Sequence, residues 1–99
     1  MENGLQQLVA HLQRLGFAPT YHGDPYGQGL DWTYFDCYFD EAAVRRHFSL
    51  GTEVRYVAYD GRVAGQEAGF YDPGTGFGVM GHHPDYGRAG GKPKITGAE

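Results

Sequence analysis

Two imidazoles and a carboxylate crowd into His82-His83-Pro84-Asp85, the densest group of titratable side chains in the chain. General acid–base catalysis and metal binding both use imidazole beside carboxylate, because a ring nitrogen holds or passes a proton while the carboxylate orients the ring. Adjacent residues of an extended chain point to opposite faces, so a metal here needs a third ligand, from His11, His22, His47 or Asp24, brought in by folding. The spacing itself calls for no metal and no cofactor. His82, His83 and Asp85 therefore stand as an alternative pocket or metal cluster rather than as the primary site.

Other reactive groups are thinly supplied. Ser49 is the only serine and lacks the glycines of a nucleophile elbow. Cys37 is the only cysteine, which excludes an internal disulfide, and its place on an apolar face predicts a buried, inert thiol. Among Asp31, Asp36 and Asp40 only the last two share a strand face, and Asp40 is better placed as a helix cap. Residues Gly76 to Gly81 match the G-x-G-x-x-G dinucleotide pattern, but Pro84 and Gly87 oppose the helix that must follow it. No residue is assigned a catalytic role, and a non-enzymatic protein is the preferred expectation.

The segment Asp31 to Asp40 carries the strongest sign of recognition. As a strand of period 2 it puts Thr33, Phe35, Cys37 and Phe39 on a core face and Trp32, Tyr34, Asp36 and Tyr38 on the other. Tyr and Trp supply wide contact area for two side-chain torsions each, and an amphipathic ring suits a half-wet surface. The expected binding residues are Trp32, Tyr34, Asp36, Tyr38 and, from a neighbouring strand, Arg55. The same face also fits three other settings: a central strand covered on both sides, the wall of a small-molecule pocket, and a homodimer seam.

Leu5, Leu8, Val9, Leu12 and Leu15 fall at helical spacing between an Asn3 cap and a Gly16 stop. Phe17 to Tyr21 is a short extended candidate, and His22 to Gly29 is loop. Asp40 caps a second, short helix in which Val44 and Phe48 form an i, i+4 apolar pair. Asp60-Gly61 predicts a two-residue hairpin between Glu53–Tyr59 and Arg62–Phe70, with Val57 facing Ala64 and Tyr56 facing Gly65. Asp72 to Gly76 is a turn, and Phe77 to Met80 a last strand. The expected fold is α+β: an N-terminal amphipathic helix packed on an antiparallel sheet of about four strands, a meander in its second half, with one short crossing helix. Residues 1–86 form the single domain, and 87–99 are expected to be a flexible Gly/Lys/Pro tail.

The chain has 99 residues, 40% of them hydrophobic, 20% charged and 15% aromatic, which fits one globular domain with a modest core. The formal charge is −4, and both lysines lie at Lys92 and Lys94, so the body before them is more acidic than the total. Such a body is a poor partner for nucleic acid phosphates and a good one for a basic protein. No stretch approaches the roughly 18 apolar residues of a membrane span, and no secretory leader is evident, so a cytoplasmic location is expected. These features point to a small acidic binding protein that recognises a basic protein partner, of the kind an inhibitor or immunity protein represents. The alternatives are a small-molecule-binding pocket protein or small enzyme, and a homodimeric structural protein.

Overall fold

The computed structural model describes residues 4–59, 67–84 and 92–99. Helix α1 spans Gly4–Arg14 and buries Leu5, Leu8, His11 and Leu12, the stripe that its spacing predicts. It closes at Gly16, whose φ of 98° belongs to a left-handed C-terminal cap. There Phe17 N–H reaches back to the Leu12 carbonyl at 3.1 Å. The expected Asn3 cap lies outside the described residues.

Seven strands follow, interrupted by one helix: β1 Thr20–Gly23, β2 Asp31–Tyr34, β3 Tyr38–Phe39, α2 Glu41–His47, β4 Arg55–Ala58, β5 Glu67–Asp72, β6 Phe77–His82 and β7 Lys94–Ile95. The main sheet has the order β1-β2-β6-β5-β4, and β3 pairs with β7 in a second, two-stranded sheet. The fold is thus α+β, with the meander β4-β5-β6 in its second half. The sheet is not wholly antiparallel, as expected, but mixed: β2 lies parallel to β6, and β3 parallel to β7.

The turn at residues 72–76 forms as its composition predicts. Asp72 Oδ1 accepts from Gly74 N–H at 2.8 Å, and Gly76, at φ 75°, donates to the Asp72 carbonyl. Asp40 also caps α2, accepting from Ala43 N–H at 3.0 Å, and Val44 is buried.

Three expectations require correction. The β4–β5 register places Tyr56 opposite Phe70 and Val57 opposite Gly69, not opposite Gly65 and Ala64. Tyr59 N–H closes the ladder on the Glu67 carbonyl. Asp60-Gly61 itself lies outside the described residues; the register that is seen buries Phe70 and Ala68. Second, the aromatic segment is two strands rather than one. At Phe35 to Cys37 the chain turns over the sheet, with Phe35 N–H bonded to the Met80 carbonyl and His82 N–H to the Cys37 carbonyl. Third, part of the expected tail is built into the body. Residues 87–91 lie outside the described set, but Lys94–Ile95 forms β7, and Ile95 is buried with Phe35, Phe39 and Phe70.

The core occupies one sheet face, where α1, α2 and the β3/β7 pair cover Phe70 and Val79. The opposite face holds a smaller cluster of Leu30, Trp32 and Met80, ringed by Tyr26, Tyr34, Val57, Tyr59 and Tyr71. Because Ile95 fills the main core, Ile95→Ala should lower unfolding free energy by about 2–4 kcal/mol in urea denaturation. A loss below about 0.5 kcal/mol, the range of surface changes, would show that this segment contributes nothing to packing.

Candidate functional site

The two parallel strands β2 and β6 run side by side, β2 ending at Tyr34 opposite Met80 and β6 two residues further on at His82. Their carboxyl ends carry a cluster that joins residues far apart in the chain. Tyr34 Oη lies 2.5 Å from His82 Nε2, and the same nitrogen lies 2.7 Å from Asp36 Oδ1. Lys92 Nζ donates to Asp36 Oδ2 at 3.0 Å. His22, on the edge strand β1, stacks on Tyr34 at 5.2 Å between ring centroids, while His82 meets the Tyr34 ring edge-on at 5.5 Å.

Local structure explains the convergence. Tyr34 shares the outer sheet face with its register partner Met80, and His82, two residues on, has the same orientation. Phe35 and Cys37 turn inward as the chain leaves the strand, so Asp36 between them turns outward, where its side chain keeps 58% of its accessibility. The carboxylate thus hangs over the end of β6, within reach of His82.

The electrostatics follow from this geometry. Hydrogen bonds from His82 and Lys92 hold the Asp36 carboxyl below its ordinary value, so it is ionised at neutral pH. Burial, reinforced by the Asp36 and Glu67 carboxylates, pushes the Tyr34 hydroxyl up to about 12, leaving it a proton donor at neutral pH. One imidazole nitrogen faces two oxygens and holds at most one hydrogen. With that hydrogen in place, Nε2 donates to Asp36; without it, Nε2 accepts from Tyr34. The cluster presents an anion, a phenol donor and a stacked aromatic pair on one surface, which suits a cationic or amphipathic group.

The expected site residues are only partly brought together. Tyr34 and Asp36 join with His82, the histidine of the alternative cluster. The carboxylate at His82 is Asp36, 46 positions away, while Asp85 lies outside the described residues. His83 is half-buried just beyond β6. Trp32, expected at the surface, is fully buried in the second cluster, because the outer face of β2 is itself covered. Tyr38 is half-buried in β3, level with Lys94 of β7. Arg55 lies on β4, three strands from β2 and so about 14 Å away at ordinary strand spacing. His22 and Lys92 were not among the expected binding residues. Both enter through long-range packing, and the only signal for Lys92 in the sequence is the concentration of lysine near the acidic body's end. Cys37 is buried, and burial pushes its thiol up to about 12, as an inert side chain requires. Among the described residues no group of three or more His, Cys, Asp and Glu side chains is arranged to hold a metal ion.

A carboxyl held below 3.8 stabilises the fold above that value, and the contribution is lost as pH falls through the lowered one. NMR titration should find Asp36 below its ordinary value in the wild type and shifted back up in His82→Ala; a normal value in both would dissolve the cluster. No family model, curated protein or solved structure matches this chain.

Proposed function

We propose that the protein is a small acidic binding protein whose Tyr34–Asp36–His82 cluster takes a basic side chain from a protein partner, in the manner of an inhibitor or immunity protein. The observation that carries this reading is Lys92. An ammonium group of the chain's own C-terminal segment sits on the exposed Asp36 carboxylate, beside the Tyr34 and His82 rings. A partner lysine or arginine meets the same anion and the same aromatic surroundings. Arginine adds a planar guanidinium able to stack on the exposed ring of His22 and bind the carboxylate with two hydrogen bonds.

Two further features support it. The formal charge of −4 favours fast encounter with a cationic surface. The site is also assembled on strand ends, with Tyr34 restrained between two rings, so little side-chain freedom is lost on binding. Lys92 is a surface ion pair worth at most about 1 kcal/mol, which a partner's cation can displace.

The test is affinity capture from the source cells with the immobilised domain and elution by a salt gradient. The wild type should retain a basic protein that elutes early in the gradient, and Asp36→Ala combined with Tyr34→Phe should weaken that complex by about 2–4 kcal/mol. Identical partners and elution for wild type and double variant would overturn the reading.

A further inference from the structure

We infer that the opposite end of the same sheet face is a separate small-molecule site, and that its ligand is a planar aromatic carboxylate. A cavity of about 250 Å³ opens there, lined by Gln28, Leu30, Val57, Tyr59, Tyr71 and Pro73. A cavity of ~150 Å³ holds benzene, so this one has room for a single substituted ring. Tyr59 and Tyr71 offer faces or edges for a ring to pack against, while Leu30, Val57 and Pro73 supply apolar contact.

The polar groups around it include donors. The Gln28 amide oxygen is engaged by the Tyr59 hydroxyl at 3.0 Å, so what the amide offers a ligand is its NH2 group. Arg55 does not line the cavity, but it is the cross-strand partner of the lining residue Tyr71 and is exposed on the same sheet face. Trp32 belongs to the same cluster and meets Tyr71 edge-on at 5.9 Å, and its buried Nε1 has no hydrogen-bond partner among the described residues. Apolar walls with the Gln28 NH2 group among them, and Arg55 on the same sheet face, fit a flat ring that carries an acceptor-only group, and a carboxylate is the acceptor-only group that also answers the charge of Arg55.

The loop that forms one wall is secured from both sides. Tyr26 stacks on Tyr59 at 4.4 Å and donates a short hydrogen bond to Glu67, and Asp24 accepts from the N–H groups of Gln28 and Gly29. Glu67, the nearby carboxylate that would repel an anion, is thereby turned to Tyr26. The site is thus braced before any ligand arrives.

The chain has one tryptophan, at the floor of this cluster, so its fluorescence reports on occupancy. Benzoate, benzamide and benzamidine share one ring and differ in head-group charge, and titration of the intact protein with each separates the possibilities. Benzoate should change Trp32 emission saturably, with Kd on the order of 1 mM; benzamide should bind several-fold more weakly, and benzamidine should not saturate. Arg55→Gln, an exposed change that leaves the core untouched, should weaken benzoate about tenfold and bring it level with benzamide. Asp36→Ala should leave benzoate binding unchanged, which keeps this site distinct from the proposed partner surface. Preference for benzamidine, equal binding by Arg55→Gln, or no saturable response to benzoate up to about 20 mM would overturn the inference.

Discussion

The parallel pairing of β2 with β6 governs the rest of this structure. Its register sets Trp32 beside Gly78 and Tyr34 beside Met80. At Gly78 even a methyl group would come 2.5 Å from the indole ring, so the glycine makes the space that lets the largest side chain lie flat on the sheet. The same pairing continues past the strand through Phe35 to Met80 and Cys37 to His82, which carries the chain across the core face and delivers Asp36 to His82. A shift of one residue would exchange every side chain between the two faces, removing Trp32 from its cluster and Asp36 from its histidine. Both faces of β2 being covered is what makes that shift costly.

The C-terminal segment completes what the pairing begins. Ile95 fills the core beside Phe35 and Phe39, and the charged groups on either side of it tie down the backbone. Lys92 binds Asp36, and the Glu99 carboxylate accepts from Thr96 and Gly97 N–H groups and contacts His11 at 3.3 Å. Burial alone would raise the Glu99 carboxyl, but those hydrogen bonds outweigh it and hold it at about 2. Depressed carboxyls at Asp36 and Glu99 act in one direction: both favour the folded arrangement above the ordinary carboxylate range and release it in acid. The apolar anchor at Ile95 has no such dependence, so it stabilises the segment at any pH.

One sheet face therefore carries two environments of opposite character. At the β2 and β6 ends the dominant group is a solvent-exposed carboxylate, partly neutralised from within the chain. Toward β4 stand Tyr59, Tyr71 and the exposed Arg55. The buried side chains of Trp32 and Met80 lie between the two environments, in the same cluster.

Local rules in the sequence determined the elements. Helix α1 with its Gly16 stop, the Asp40 cap, the turn at Asp72 to Gly76 and the inward set Phe35, Cys37 and Phe39 all follow from period, capping and turn chemistry, which act over a few residues. Partner choice between strands was decided only by tertiary structure. Whether Val57 meets Ala64 or Gly69, whether β2 pairs parallel or antiparallel, and whether Lys94–Ile95 joins the body depend on which distant apolar groups bury one another. The candidate site divides in the same way. Tyr34 and Asp36 were legible as an outward aromatic–acidic pair, but Trp32 was hidden because nothing local announces that a loop will fold over it. His22, His82 and Lys92 reach the cluster from 12, 48 and 58 positions away from Tyr34, distances across which alternation and propensity carry no information and packing alone selects the neighbours.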